Sequence, residues 1–475
     1  MILTKNIKDN ELQLDQMLGI NHAFDIGKKK IKIAGKTNII YTATFLVNSE
    51  EVTQVLLNFF QTNYEYQNEA YFDYIYKNLS CINVTVTSYF DEIVNAVFNG
   101  LVVIVVNSSN KAIIIDLRKY PQRGLSEPDS EKVVRGSKEG FTENIAVNIG
   151  LIRRRIKTGD LVIEKREIGI YSKTLISIVY LKNKVNLKAL NNCLDKINSI
   201  QVEELTMTDK ALEELLTTRP FSLYPVVRYT ERPDTLVAHL YQGQFGIFVD
   251  TSPSVMLAPT TFFDHLQAPE EYRQTPLAGT YLKILRMVGI FTSFLLVPIW
   301  LCFVNQVINP PTIFKNILIL DYSRKMILFQ VLIAEITIEM VRMASIHTPN
   351  SLSQSMGLIV GIILGGVAVD LGLVSEVIVF IGALSAIGTY ITPSYELALA
   401  NKIVKLILIV ISYFFGLTGL LISFACYILY LSTLKSFTMP YFSPLIPFNL
   451  KNLIKQFIRL PYRSEKKINQ KENGN

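Results

Sequence analysis

The stretch MVGIFTSFLLVPIWLCFVNQVI, from Met287 to Ile308, runs 22 residues without a charged side chain. At about 1.5 Å per residue, a helix of that length reaches roughly 33 Å, enough to cross the hydrocarbon core of a bilayer. This stretch divides the 475-residue chain. From Ile284 onward 15 lysines and arginines face 8 acids, and the residues before it hold 32 of each, so the whole formal charge of +7 belongs to the hydrophobic part. The basic excess reads as topology: Lys451, Lys455, Arg459, Arg463, Lys466, Lys467 and Lys471 against Glu465 and Glu472 mark a tail that the positive-inside rule keeps cytoplasmic.

Downstream of that first span, Ser351–Val369 and Val377–Tyr395 are uncharged runs joined by a turn bearing Asp370 and Glu376, which predicts a helical hairpin. Met326–Ile346 also reads as a helix, but Glu335, Glu339 and Arg342 interrupt it. Their i, i+4, i+7 spacing puts all three on one face, which must turn to protein or water because a charge facing lipid costs several kcal/mol. Leu406–Leu434 is uncharged for 29 residues, longer than one span needs, with Gly416-Leu417-Thr418-Gly419 at its centre. It can be one tilted helix or a broken pair that returns the chain. The basic tail, with Lys402, Lys405 and Lys435 on the same side, favours the return and leaves four to six spans.

Upstream, the balanced charge excludes a concentrated basic face and with it nucleic-acid binding. Residues 1–35 have lysines and acids but no apolar core, so no signal peptide is expected and the N-terminal half stays cytoplasmic. Apolar, β-branched runs alternate with amphipathic ones from Ile39 to Asn99, giving β-α-β-α, and Leu101–Val106 with Ala112–Leu117 form a hairpin. Leu161–Ile170, Thr174–Leu181, Asn186–Ser199 and Asp209–Leu216 open a second α/β lobe, completed by Pro233–Gln242, Gly246–Val249 and Val255–Ala258. Between them lies the polar loop Pro121–Gly140, then a helix Phe141–Ile156 whose terminal Arg153-Arg154-Arg155 suits a solvated helix end or a subunit or lipid-headgroup contact.

The expected fold class is therefore a two-lobed α/β soluble N-terminal domain followed by an all-α helical membrane domain. Its parts are an N-terminal arm (1–35), a first lobe with the long loop and helix (36–156), a second lobe (157–283), a transmembrane domain (284–434) and a basic tail (435–475). Four cysteines and four histidines at motif-free spacings give no zinc site, metal centre or disulfide framework, and no phosphate loop or nucleophile elbow is present. No enzyme and no cofactor are expected.

Ordered motifs carry more. Ser126-Glu127-Pro128, Val134-Arg135-Gly136, Glu139-Gly140-Phe141-Thr142-Glu143, Arg153-Arg154-Arg155-Ile156, Tyr229-Thr230-Glu231-Arg232-Pro233-Asp234, Pro259-Thr260-Thr261-Phe262, Pro269-Glu270-Glu271-Tyr272 and Ile391-Thr392-Pro393-Ser394-Tyr395-Glu396 follow one another in a pattern that resembles the A subunits of GerA-type spore germinant receptors over nearly the full length. Where those subunits carry an Arg-Pro-Ile-Gly-Gln-type stretch, this chain has Pro349-Asn350-Ser351-Leu352-Ser353-Gln354, a departure that speaks against direct nutrient sensing.

The resemblance implies a multi-pass protein of the spore inner membrane that forms a homo-oligomer, works with other spore germination membrane proteins in the lipid bilayer, binds no nucleic acid and conducts ions during germination. The alternative is a non-conducting scaffold that docks germinant receptors or the dipicolinic acid release machinery. On this view Glu335, Glu339 and Arg342 flank an ion path or form an internal salt bridge, Gly357, Gly361 and Gly365 make a helix-packing stripe, and Arg135, Glu139 and Phe141 clasp a neighbouring subunit. His347, beside Thr348-Pro349, is expected to cap a helix end.

Overall fold

The computed structural model describes residues 1–20, 22–61, 70–79, 81–120, 131, 133, 135–217, 219, 221–306, 311–312, 315–347 and 366–461. They fall into two compact units, one built mainly from residues 1–220 and 227–260, the other from 261–435 and 440 onward.

The first unit is one module used twice. In the first copy α1 (Ile7–Leu18) is followed by β1 (Ile26–Ile33), β2 (Lys36–Ala43), α2 (Ser49–Gln61), α3 (Tyr71–Lys77), β3 (Val84–Thr87), α4 (Phe90–Phe98), β4 (Val102–Val105) and β5 (Ala112–Ile115). In the second, α5 (Ile145–Arg155) is followed by β6 (Leu161–Ile168), β7 (Thr174–Leu181), α6 (Leu187–Ser199), α7 (Thr208–Leu216), β8 (Arg228–Thr230), α8 (Pro233–Tyr241), β9 (Phe245–Val249) and β10 (Val255–Ala258). The sheets have the same strand order, β1-β2-β4-β5-β3 and β6-β7-β9-β10-β8, antiparallel throughout.

Sequence explains the layering. Successive strand residues point to opposite faces, and both faces of each sheet are covered. In the first copy Tyr41, Val103, Val105 and Ile114 pack under α1 and α4, while Ile40, Val102, Ile104 and Ile113 pack under α2 and α3. In the second, Val179, Phe248 and Leu257 meet α5 and α8, and Ile178, Phe245, Ile247 and Met256 meet α6 and α7. Strands covered on both sides have no polar face, which is why β4 and β5 read as continuous apolar runs rather than alternating ones.

The duplication reaches single hydrogen bonds. Thr4-Lys5-Asn6-Ile7-Lys8-Asp9-Asn10 and Thr142-Glu143-Asn144-Ile145-Ala146-Val147-Asn148 share a Thr-x-Asn-Ile-x-x-Asn pattern. In each, the middle Asn caps the helix, and the last Asn clamps the Thr backbone: Thr4 N–H to Asn10 Oδ1 at 2.9 Å and Thr142 N–H to Asn148 Oδ1 at 2.8 Å. Leu3 N–H donates to Ser88 O at 2.8 Å, and Phe141 N–H to Glu231 O at 2.7 Å.

Two expected boundaries move. Residues 1–35 form no arm, because they supply the capped helix and edge strand of the first module. Lys28, Lys29, Lys30 and Lys32 disguise β1 as a solvated segment, the usual protection of a sheet edge. The division expected after residue 156 shifts to about 140, since α5 opens the second module as α1 opens the first. Arg153 is neither solvated nor a lipid contact. Its guanidinium is buried and grips Asp25 bidentately, Nε to Oδ2 at 2.5 Å and Nη2 to Oδ1 at 2.9 Å, and also donates to the carbonyls of Thr158 and Leu161. One arginine thus fastens the second module to the first.

The second unit contains α9 (Pro269–Arg273), α10 (Pro276–Phe303), α11 (Lys315–Leu318), α12 (Arg324–His347), α13 (Ala368–Asp370), α14 (Glu376–Ile391), α15 (Tyr395–Thr433) and α16 (Leu450–Phe457). By length and composition α10 and α15 are apolar enough to cross a membrane. α10 and α14 approach closely: a Cβ on Gly388 would lie 2.2 Å from Gly289 O, so only glycine permits this crossing. The stripe expected at Gly357, Gly361 and Gly365 lies outside the described residues.

α15 is not one straight rod. Gly416 has φ 59° and ψ −149°, a conformation essentially confined to glycine, in mid-helix. The Tyr224 hydroxyl lies 2.8 Å from Asn401 Oδ1 and 2.9 Å from Tyr427 Oη. In a straight helix residues 401 and 427 would stand about 39 Å apart. The chain therefore doubles back at Gly416 into two arms, the broken form of the two that the sequence allowed.

Candidate functional site

The site grows from the helix face marked by Glu335, Glu339 and Arg342 on α12. Against it lies the first arm of α15, with Lys402 and Lys405 three residues apart. Lys405 is 2% exposed, and its Nζ sits 2.5 Å from Glu335 Oε2 and 3.2 Å from Ser385 Oγ of α14. Ser385 Oγ in turn donates to the backbone oxygen of Ser293 on α10 at 2.8 Å. One turn along, Lys402 pairs with Glu339, and Arg342 Nη2 lies 3.4 Å from Glu339 Oε1. The Arg342 guanidinium also rests 5.0 Å from the centre of the Tyr395 ring. Because 335 meets 405 and 339 meets 402, the two helices run antiparallel here.

Four helices thus converge on two carboxylates and three cations, a network with one net positive charge. An ionised group among apolar helices is costly to bury unless it is paired and hydrogen-bonded, and each charge here has a partner of opposite sign. Satisfaction is incomplete. Among the described residues, Glu335 Oε1, both amide atoms of the fully buried Gln330 and Asn401 Nδ2 have no hydrogen-bond partner. These unmet groups lie on the same two helices as the charges, so the polar interior offers lone pairs and N–H groups beyond those the ion pairs use.

Tyr224 ties this interior to a second cluster. Its hydroxyl reaches Asn401, the neighbour of Lys402, and its ring sits among Phe262, Tyr427 and Tyr430. Desolvation pushes the Tyr224 and Tyr441 phenols well above their ordinary range, so both stay neutral, Tyr224 hydrogen-bonded and Tyr441 buried with no hydrogen-bond partner among the described residues. At the base of α10, buried Glu271 accepts from Arg286 Nε at 2.6 Å, and Arg286 Nη1 reaches Ile391 O at 3.2 Å. Burial raises the Glu271 carboxyl, opposed by Arg286 and Lys283.

The residues expected at a subunit contact separate. Arg135 is exposed. Glu139 is half-buried and held by Arg154 at 3.1 Å and Arg155 at 2.6 Å within its own chain. Phe141 is wholly buried, its ring edge-on to Phe248 at 5.1 Å, and belongs to the core of the second module. The His347 side chain lies outside the described residues. Sequence reasoning found the α12 face and missed its partners, because Lys402 and Lys405 were read as cytoplasmic flanks. The signal was their three-residue spacing inside an apolar run, which matches the four-residue spacing of Glu335 and Glu339 on a facing helix. Among the described residues, no group of His, Cys, Asp and Glu could hold a metal ion.

Comparison with known proteins identifies the family. The sequence model of the Bacillus/Clostridium GerA spore germination protein family matches residues 13–471. Stage V sporulation protein AF of Bacillus subtilis is 39% identical over 456 residues, covering 96% of this chain and 92% of that protein. Spore germination protein A1 of the same organism is 30% identical over 401 residues, covering 83% and 82%. Among solved structures, the N-terminal domain of the A subunit of the Bacillus megaterium spore germinant receptor GerK3 matches with a TM-score of 0.43 and 23% identity, covering 55% of this chain and 98% of that one. With the match running nearly end to end, the chain belongs to the GerA family of spore germination proteins.

Proposed function

We propose that this protein is a multi-pass component of the spore inner membrane that conducts ions as a homo-oligomer during germination, alongside other germination membrane proteins. The first unit and the basic tail face the cytoplasm in this reading. The observation that carries it is the ion-paired network of Glu335, Glu339 and Arg342 with Lys402 and Lys405 among apolar helices. Ionisable groups at such depth mark ion pathways and relays, and carboxylate rings favour cations. Here both carboxylates are latched by lysines of the first arm of α15. Drawing that arm away frees Glu335 and leaves Glu339 held only by Arg342 of its own helix, so that both carboxylates can line a path between subunits.

That each of these charges already has an oppositely charged partner within the chain favours a second reading, a non-conducting scaffold that docks germinant receptors or the dipicolinic acid release machinery, in which the network only holds the helices together. Potassium and sodium release from germinating spores carrying Glu339→Gln separates the two. Reduced flux with unchanged protein level and oligomer size supports the ion path, whereas unchanged flux leaves the network to the scaffold.

A further inference from the structure

α16 offers a surface that the ion-path reading does not use. The helix begins at Asn449, whose side chain caps it, and its exposed residues Leu450, Ile454, Phe457 and Ile458 fall at i, i+4, i+7 and i+8, a single stripe. Phe448, 67% exposed, and Ile446 extend the stripe upstream. Alongside it, Lys451 and Lys455 repeat at i and i+4, a basic row flanking the apolar one, while the Arg459 side chain turns inward against Gly279 of α10. The opposite side is fixed to the base of α10 and the segment before it. Arg459 N–H donates to Thr280 Oγ1 at 3.1 Å, Lys283 Nζ to Lys455 O at 3.4 Å and Gln267 Nε2 to Gln456 Oε1 at 2.8 Å. Thr280 and Lys283 lie in the first two turns of α10, and the first half of that helix also exposes Leu277, Tyr281, Ile284, Leu285 and Val288.

We propose that α16 lies in the membrane–water interface, with its apolar stripe in the acyl boundary and its basic row on anionic lipid headgroups. Two observations choose lipid as the occupant. The stripe is held beside the exposed apolar face that opens a candidate span, and the flanking row has one sign of charge, complementary to a negatively charged leaflet. Exposed apolar residues confined to one stripe beside a row of lysines are the pattern of an in-plane amphipathic helix rather than of a solvated one. This inference rests on reading α10 as a membrane span.

The test uses the full chain in lipid nanodiscs, with Cys81 and Cys426 replaced by serine and a bimane label on Ile454→Cys or, as control, on Phe291→Cys of α10. An in-plane helix sits about 5–10 Å into the headgroup and acyl boundary, so lipids brominated high on the acyl chain should remove about half or more of the emission at 454. Quenching should be stronger with phosphatidylglycerol in phosphatidylcholine than with phosphatidylcholine alone, and Lys451→Glu/Lys455→Glu should erase that difference. Quenching at 291 without quenching at 454 overturns the inference alone, and a blue-shifted but unquenched label at 454 assigns the stripe to a second copy of the chain or another protein. Absence of quenching at both positions overturns the span reading of α10 as well.

Discussion

Replacing Lys405 with methionine is the sharpest perturbation of the helical unit. The side chain keeps nearly the same length and packing but loses the ammonium group 2.5 Å from Glu335 Oε2. Glu335 is 8% exposed, and its other oxygen has no hydrogen-bond partner among the described residues, so the carboxylate left behind would lose its direct partner and keep only the more distant charge of Lys402. Removing one partner of such a buried pair costs roughly 3–5 kcal/mol, whereas exchanging both for apolar residues of similar volume is often neutral or stabilising. Lys405→Met should therefore destabilise the protein strongly, Glu335→Leu comparably, and the double variant far less than their sum. Thermal unfolding of the four proteins in one detergent gives the cycle, read as the coupling between the two changes. Single costs below about 1 kcal/mol that add to within roughly 0.5 kcal/mol would mean the charges do not interact, and the pairing argument would fail.

The first unit supplies two more tests. Arg153→Met leaves Asp25 buried without its guanidinium and should cost about 3–5 kcal/mol in chemical unfolding of the full chain; a loss under about 1 kcal/mol would show that the modules are not pinned there. His239 is buried, and desolvation with the nearby Arg228 holds its imidazole down to about 3, against an ordinary 6.5. The unfolded chain takes up that proton first, so the His239 contribution is intact above pH 6.5 and lost as pH falls toward 3, by about 2 kcal/mol at pH 5. His239→Gln should flatten the fall of thermal midpoint between pH 7 and 5, and an unchanged slope would assign the acid sensitivity to other groups.

Periodicity made most of the first unit legible, because strands such as Val102–Val105 and Thr174–Leu181 bury side chains in an order that hydrophobicity alone encodes. What it hid has physical reasons. β1 carries four lysines because it is an edge, and an edge strand protected by charge looks like an unstructured arm. The repeat of Thr4–Asn10 in Thr142–Asn148 is seven residues long, and helix capping tolerates so many sequences that only the shared sheet order gives it meaning. In the helical unit the α12 face was evident from spacing, since charge in an apolar helix stands out. Its lysine partners were not, because a lysine near the start of an apolar run has the same composition whether it flanks a membrane or lies inside a bundle. Gly416 was visible as a possible break, but whether a glycine bends or packs depends on its neighbours, and that required Tyr224 to touch both arms.

Two copies of one strand order on a single polypeptide create a hazard during synthesis. The first module emerges while its twin is still incomplete, and β7 could seat where β2 belongs, since both are eight residues long with the same order of buried and half-buried positions. Exchange between like elements is a characteristic misfolding route of repeat proteins. Drift between the copies works against it: β4 reads Val-Val-Ile-Val where β9 reads Phe-Gly-Ile-Phe-Val, so neither volume nor shape fits the other's sheet. The dissimilarity that conceals the kinship of the halves also guides each strand to its own sheet.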